Sequence, residues 1–181
     1  SIHISLHEDI SPRNRLVTLL VLLLAGLLAG CGGGSRPTGI RAAETPADDV
    51  AEYQPRWRSH TVDSTQYRKV FLAGTIDMGR SADWQAALVA RFRDSIGGRW
   101  LFFNPRRREF HASPAEMEYQ VAWELAHLEA ADLIVMNLLG DSRSPISLLE
   151  MGLYARSGKL FVACSPDYYR YDNVRITCRR Y

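Results

Sequence analysis

The sequence predicts an α/β domain in which a parallel β-sheet carries helices on both faces. Between residues 67 and 181, short apolar runs typical of buried strands alternate with helical patterns of about 10–16 residues. Glycine or an Asn-Pro pair closes several of these runs, and Ser-Pro pairs open two of the helical patterns. Alternating strands and helices imply βαβ units, which build parallel, doubly wound sheets.

Five strands and three helices follow from these patterns. The predicted strands are Tyr67–Gly74, Trp100–Phe103, Asp132–Asn137 and Lys159–Cys164, with a weaker candidate at Val174–Cys178. The predicted helices are Ser81–Ile96, Ser113–Ala131 and Ile146–Arg156, the last capped by Ser144 and Pro145. Because folds of this kind usually add a helix after the last strand, we expect the domain to be truncated at its C-terminus.

The first 31 residues have the pattern of a secretory signal peptide. Arg13 and Arg15 precede the uncharged apolar run Leu16–Leu28, which is short for the roughly 20 residues of a membrane span. The run closes with Leu-Ala-Gly-Cys, which resembles the lipobox of bacterial lipoproteins and implies lipidation of Cys31. The alternative is an ordinary signal peptide or a short anchor that happens to hold a cysteine.

Residues 32–66 are predicted to be a flexible linker. Gly32-Gly33-Gly34-Ser35 is followed by recurrent prolines among small and polar residues, without a helical or alternating period. By resemblance to lipoproteins, a glycine rather than an aspartate after the cysteine favours the outer membrane. We therefore expect a lipid-anchored domain on the periplasmic face of the bacterial cell envelope.

Composition excludes several classes of protein. The 181 residues include 22 Lys and Arg against 20 Asp and Glu, so the net charge of +2 gives no support for nucleic-acid binding by bulk charge. None of the three cysteines has zinc-finger spacing, and neither a Ser-His-Asp elbow nor an HExxH motif occurs. A hydrophobic fraction of 46% excludes wholesale disorder.

Chemistry is expected in the loops beyond the carboxyl ends of the strands, where such sheets bind ligands. The loop Gly74–Arg80 is either a tight turn or a phosphate or sugar site, with Arg80 adding a positive charge. Asp77 and Asp141 occupy the same edge and could orient a substrate. Arg106–Arg108 is either a solvated loop or a phosphate contact.

Glu150 is the sharpest single candidate residue. It lies on the third helix at the edge of a predicted apolar stripe of Ile146, Leu149 and Leu153, which would half shelter its carboxylate. From spacing alone, a surface glutamate on an amphipathic helix is the simpler interpretation. Glu124 lies beside the apolar face of the second helix.

An ordered set of motifs resembles the nucleoside 2-deoxyribosyltransferase-like superfamily. The set comprises VFLAGTIDMG, DWQ, NPRR, QVAWE, ADLIVMNL, SPISLLEMG and the tail KLFVACSPDYYRYDNVRITC. It covers nearly all of residues 68–181. The resemblance implies a flavodoxin-like sheet and cleavage of the N-glycosidic bond of a nucleoside or nucleotide, without a cofactor or metal.

The resemblance also implies roles for individual residues. Glu150 corresponds to the family's nucleophile, and Glu124 to a carboxylate that contacts the leaving base. The family's carboxylate shortly before the nucleophile has no match, because Ser144 stands there and Asp141 lies three residues earlier. The expected substrate-binding residues are Gly74, Thr75, Asp77, Arg80, Asp141, Ser144 and Asn173.

Two functions remain open at this point. In the first, Glu150 forms a glycosyl-enzyme that an incoming base resolves in a transferase and water resolves in an N-glycosidase. In the second, the domain is a catalytically inactive, lipid-anchored binding or interaction module, which its location favours because free deoxynucleosides are mainly cytoplasmic. The family's sites are completed by a neighbouring subunit, so the resemblance also implies a homo-oligomer, and an aromatic, polar loop of Tyr168, Tyr169, Tyr171 and Asn173 suits such a contact.

Replacement of the candidate lipidated cysteine tests the predicted anchor. We expect Cys31→Ala to leave the precursor unprocessed or to release the domain as a soluble species, because the lipid-bearing thiol is gone. Membrane fractionation with immunoblotting distinguishes these forms from the wild type. Unchanged fractionation of the variant with the outer membrane would contradict the prediction.

Overall fold

The computed structural model describes residues 49–96, 98–109, 111 and 113–181, and it confirms the predicted α/β fold. Six strands form one sheet in the order β2-β1-β4-β3-β5-β6. β1 and β2 are antiparallel, and every other neighbouring pair is parallel. The strands are β1 (Val50–Gln54), β2 (Trp57–Arg58), β3 (Arg68–Gly74), β4 (Trp100–Phe103), β5 (Leu133–Leu138) and β6 (Leu160–Cys164).

Helices cover both faces of this sheet because successive strand side chains point to opposite faces. Val70 and Leu72 of β3 pack with side chains of α1 (Trp84–Ser95). Phe71 and Ala73 belong to the opposite core, to which α2 (Pro114–Ala130), α3 (Pro145–Tyr154) and α4 (Tyr171–Arg180) each contribute a buried residue: Leu128, Met151 and Val174. Within the described ranges, no helix combines the length and the apolar composition that crossing a membrane requires.

Local capping explains how closely the helix boundaries match their predictions. α2 begins as predicted, with Pro114 in its first turn and the Ser113 hydroxyl accepting a hydrogen bond from the Glu116 N–H. α1 begins at Trp84 instead of Ser81, because the Asp83 carboxylate takes the cap by accepting from the Ala86 N–H. The Ser81 hydroxyl instead donates to the carbonyl of Ile76.

The predicted linker is wrong over the described residues from 49 onward. β1 pairs in parallel with β4 from Val50–Trp100 to Tyr53–Phe103, and Val50, Ala51 and Tyr53 are buried. Pro55 lies in the turn between β1 and β2, so the proline does not interrupt either strand. The sheet therefore begins before residue 67, whereas the predicted signal peptide with Cys31 and the linker up to residue 48 lie outside the described residues.

The predicted fifth strand at Val174–Cys178 is also wrong, because this segment lies within α4. Val174 and Cys178 are four residues apart and both pack into the core, which is a helical spacing that a five-residue window cannot separate from a strand. Cys164 and Cys178 are free thiols, and burial raises the pKa of both.

The apolar stripe of α3 is inverted relative to the prediction. Ile146, Leu149 and Leu153 are 59%, 62% and 59% exposed, whereas the buried positions of the helix are Ser147, Glu150 and Met151. α2 likewise exposes three apolar side chains at i, i+4 and i+8, namely Met117, Val121 and Leu125. We call these six exposed residues the α2–α3 apolar face.

Candidate active site

The candidate site lies at the point in the sheet where the order of successive strands reverses. α1 carries the chain from β3 to β4 on one side, and α2 carries it back across β3 to β5 on the other. Ligands of doubly wound sheets bind at this switch point, beyond the carboxyl ends of the strands. The loops that follow β3 and β5 therefore meet where a ligand is expected.

The end of β3 approaches β5 closely enough to require glycine. Gly74 has a φ of +115°, and a Cβ at this position would lie 2.2 Å from the carbonyl oxygen of Asn137. The Thr75 N–H donates to that same carbonyl at 2.9 Å. Thr75 is thereby placed, fully buried, between the two loops.

A directed chain of hydroxyl groups joins these loops. The oxygen atoms of Thr75 and Ser144 are 2.8 Å apart, those of Ser144 and Ser142 are 2.7 Å apart, and the Ser142 hydroxyl donates to Asp77 at 2.8 Å. Because a hydroxyl has one proton and the ionised carboxylate only accepts, each hydroxyl donates toward Asp77. The Leu139 N–H donates to Thr75 Oγ1 at the start of the chain.

The backbone around the hydroxyl chain is strained at three positions that are not glycine. Asp77, Met78 and Ser144 have φ angles of 48°, 52° and 40°. Ser144 precedes α3 but does not cap it through its side chain, contrary to the prediction, because its hydroxyl bonds to Thr75 and Ser142 instead. Such strain persists where surrounding contacts fix the loop, as they do here.

Glu150 is a buried carboxyl group and not a surface residue. Only 8% of it is exposed, and removal from water, followed by the nearby charge of Glu124, raises its pKa to about 8. Glu124 and Glu150, the two carboxylates to which the resemblance assigns roles, therefore interact electrostatically. Perturbed carboxyl pairs of this kind are a common feature of sites that move protons.

Glu124 is fixed by Gln120 and, through Gln120, by Arg107, a role that the sequence did not predict for either residue. The Gln120 amide donates to Glu124 Oε1 at 2.6 Å and to the Pro105 carbonyl at 3.0 Å. Arg107 Nε in turn donates to Gln120 Oε1. Burial raises the pKa of Glu124, while the Gln120 hydrogen bond and the Arg107 charge act in the opposite direction. The spacing of Gln120 four residues before Glu124 was the available signal.

The three consecutive arginines all bond to protein acceptors, with Arg106 buried, Arg107 half-buried and Arg108 exposed. Arg106 is 7% exposed and donates to the Ser81 hydroxyl, to the carbonyls of Ser81 and Ala82 and to Gln85 Oε1. Arg107 is engaged by Gln120, and Arg108 donates to Gln54 Oε1. These side chains brace the loops around the site.

The structure brings together part of the predicted site. Gly74, Thr75, Asp77 and Ser144 converge at the switch point, and Glu124 and Glu150 form the carboxyl pair. Arg80, Asp141 and Asn173 are exposed, and within the described part of the chain their side chains form no hydrogen bond or ion pair. In the same part of the chain, no cluster of His, Cys, Asp and Glu side chains could hold a metal ion.

The fold defines a class of α/β, flavodoxin-like proteins, whose ligands bind at the switch point of the sheet. The sequence profile described as "Nucleoside 2-deoxyribosyltransferase like" matches residues 67–168, more than half of the chain. The chain therefore belongs to this family, whose domain binds nucleoside substrates and whose name denotes glycosyl transfer on them. A search of the curated proteins finds no match to the sequence.

Burial of Glu150 predicts a specific dependence of stability on pH. Its pKa rises from 4.5 to about 8 on folding, so between these values the folded protein keeps a proton that the unfolded chain releases. The free energy of unfolding should therefore fall as pH rises through this window, by about 4 kcal/mol from this group. We expect Glu150→Gln to remove most of the decline.

Urea unfolding of the wild type and the variant at pH 5 and pH 8 measures this difference. Glu118→Gln is the matched control, because Glu118 is an exposed glutamate on α2. An equal decline in the wild type and Glu150→Gln would show that Glu150 is not the group responsible.

Proposed function

We propose that this domain cleaves or transfers the N-glycosidic bond of a nucleoside or nucleotide, with Glu150 as nucleophile and Glu124 as acid and base. The observation that carries the proposal is the buried carboxyl pair, in which Glu150 stands on the helix that begins directly after Ser144 of the hydroxyl chain. Membership of the family supports the substrate class. A single buried carboxylate without a neighbour would give much weaker support.

The proposed reaction has two displacement steps at the anomeric carbon. In the first, a Glu150 oxygen forms a bond to this carbon as the bond to the base nitrogen breaks, and the departing base takes a proton from Glu124. In the second, Glu124 accepts a proton from water or an incoming base, which attacks the same carbon and releases Glu150. Positive charge that develops on the sugar favours the ionised form of Glu150 in both steps.

The proton of the carboxyl pair must change position when substrate binds. In the free protein, the Gln120 hydrogen bond and the Arg107 charge favour the anion of Glu124, while Glu150 retains its proton up to a pH of about 8. The reaction requires the reverse arrangement. We infer that a bound base, as a hydrogen-bond acceptor beside Glu124, draws the proton to that residue and leaves Glu150 ionised.

The hydroxyl chain supplies the proposed contacts to the sugar. Ser144, Thr75 and Asp77 stand on the loops that meet at the switch point, and their donors and acceptors are fixed by one another. Gly74 permits the close approach on which the arrangement depends. Arg80, Asp141 and Asn173 stay in the proposal as outer contacts to the substrate, supported by their place on or near the same edge of the sheet.

Removal of either carboxylate should abolish most of the activity. We expect Glu150→Gln to lower kcat at least about 10³-fold, because the attacking anion is lost, while Glu124→Gln should lower it less for substrates with good leaving groups. Chromatography of free base released from a panel of deoxynucleosides and their monophosphates is the measurement. In the wild type the rate should fall as pH rises through about 8, because the carboxyl pair then loses the one proton that Glu124 delivers to the base.

The control for the activity measurement is again Glu118→Gln, which should keep wild-type turnover. Full activity of Glu150→Gln would refute the assigned nucleophile. Release of no base by the wild type from any substrate in the panel would refute the proposed reaction.

One observation favours the alternative of an inactive binding module. A carboxyl group with a pKa of about 8 is mostly protonated at neutral pH and is then a poor nucleophile. In that alternative Glu150 donates a hydrogen bond to a bound nucleoside instead of attacking it. A thermal shift with nucleosides in the absence of base release would establish this function.

We further propose that the domain forms a homo-oligomer through the α2–α3 apolar face. α2 and α3 each expose three large apolar side chains at helical spacing, and both helices pack on the same core, which exceeds the scattered exposure of an ordinary monomer surface. α3 carries both this face and Glu150, so a second copy placed there lies next to the site. A second copy is the partner that the family resemblance implies.

A charge placed within the α2–α3 apolar face should dissociate the oligomer. We expect Leu149→Glu to give a monomer at tens of micromolar, because it buries an unpaired carboxylate at the contact. Light scattering after size exclusion gives the mass. Ile176→Glu is the matched control, since Ile176 is 59% exposed on α4. A monomeric wild type would contradict the proposed contact.

We propose that lipid on Cys31 tethers the domain to the outer membrane on its periplasmic side. The support is the basic flank, apolar run and small-residue ending of the first 31 residues. Fractionation of Cys31→Ala is the test of the anchor. The tether would hold the α/β domain near the membrane through the segment that precedes β1.

A further inference from the structure

A second cavity lies outside the candidate active site, between the β1–β2 hairpin and α2. Its volume is about 420 Å³. It is lined by Gln54, Arg56, Trp57, Arg58, Tyr119, Trp123 and His127. None of these residues belongs to the hydroxyl chain or to the carboxyl pair, so the cavity is a separate feature of the fold.

Aromatic rings form most of the walls of this cavity. Trp123 and His127 stack at 4.0 Å between ring centroids, with an interplanar angle of 25°. His127 also meets Phe103 edge to face, which fixes this pair against β4. Trp57, Tyr119 and Trp123 are all partly exposed, but the Arg108 guanidinium lies over the Trp57 ring at 3.6 Å and His127 covers one face of Trp123, so a ligand can reach only the remaining ring surface. Flat, rigid rings of this kind bind planar groups at low entropic cost.

The charge of the cavity is positive and only partly balanced. Arg56 is paired with Glu116 at 2.7 Å and lies over the Tyr119 ring, so its charge is already compensated. Arg58 lies over the Tyr53 ring at 4.6 Å, and within the described ranges it has no carboxylate within 4.0 Å. The positive charge of Arg58 also contributes to lowering the pKa of His127.

We propose that this cavity is a binding site for a small aromatic anion, in which Arg58 pairs with the anionic group and Trp57 and Trp123 hold the planar ring. An anion there would gain a charge-assisted hydrogen bond from a guanidinium that has no carboxylate partner. The ring would gain stacking surface that water solvates poorly. Neither gain requires the proposed glycosidic chemistry.

The hairpin explains why this site is distinct from the family's shared features. Gln54, Arg56, Trp57 and Arg58 precede residue 67, where the family match begins. α2 presents Trp123 to the cavity and, one residue on, Glu124 to the carboxyl pair. A helix turns by about 100° per residue, so the two sites occupy different sides of α2.

Phenyl phosphate is a suitable probe, because it joins one planar ring to one anionic group. Two of the chain's four tryptophans line the cavity, whereas Trp84 of α1 and Trp100 of β4 are buried in the core between α1 and the sheet. Titration of the full chain, followed by tryptophan fluorescence and calorimetry, should show saturable binding. Inorganic phosphate and benzyl alcohol, which each lack half of the probe, should bind at least about tenfold more weakly.

Variants assign the binding to this cavity. We expect Arg58→Gln to weaken phenyl phosphate binding about tenfold, while Arg91→Gln, at an exposed arginine of α1, leaves it unchanged. Trp57→Leu should weaken binding of phenyl phosphate without changing that of inorganic phosphate. Thermal melting of each variant verifies that it is folded.

Several results would overturn the proposal. They are absence of saturable binding to the wild type, equal affinity of Arg58→Gln and wild type, and equal affinity of inorganic phosphate and phenyl phosphate. A similar loss in Arg91→Gln would attribute binding to overall charge and would also refute the site.

Discussion

The close approach of β3 and β5 at Gly74 is the constraint on which the candidate site depends. A side chain at Gly74 would overlap the Asn137 carbonyl, so only glycine allows the Thr75 N–H to reach that carbonyl. Thr75 is then held between the two loops, where it accepts from the Leu139 N–H and donates to Ser144. A wider spacing of the strands would separate these hydroxyl groups and leave buried donors without acceptors.

The rotation of α3 about its own axis has two consequences. It buries Glu150, and it exposes the α3 residues of the α2–α3 apolar face. An amphipathic helix ordinarily turns its apolar stripe toward the sheet, yet α3 turns Ser147 and Glu150 inward and Leu149 outward. Burial of a carboxyl group costs stability, as its raised pKa shows. Positions where a helix departs from the usual amphipathic pattern are commonly functional, because binding or assembly compensates the stability that the departure costs.

Sequence patterns predicted the sheet well where apolar runs were continuous and helices were capped. Trp100–Phe103 was predicted to the residue, and Ser113 and Pro114 begin α2 as expected. The patterns failed at β1, where a five-residue strand stands among prolines and polar residues, and at α4, where four-residue spacing fits both a helix and a short strand. The fixing of Glu124 by Gln120 and Arg107 depends on tertiary contact, which periodicity does not encode.

The β1–β2 hairpin extends the folding unit beyond the part of the chain that matches the family. Glu52 accepts from the Asn104 amide at 2.8 Å, and Asn104 Oδ1 accepts from the Arg106 N–H. The Arg106 guanidinium then holds Ser81 and Ala82, which follow the Gly74–Arg80 loop. All polar groups of this buried network have hydrogen-bond partners only when β1 supplies Glu52. The hairpin therefore helps to position the Gly74–Arg80 loop, which contains Thr75. The same hairpin lines the second cavity. It therefore both supports the candidate active site and forms part of the wall of that cavity.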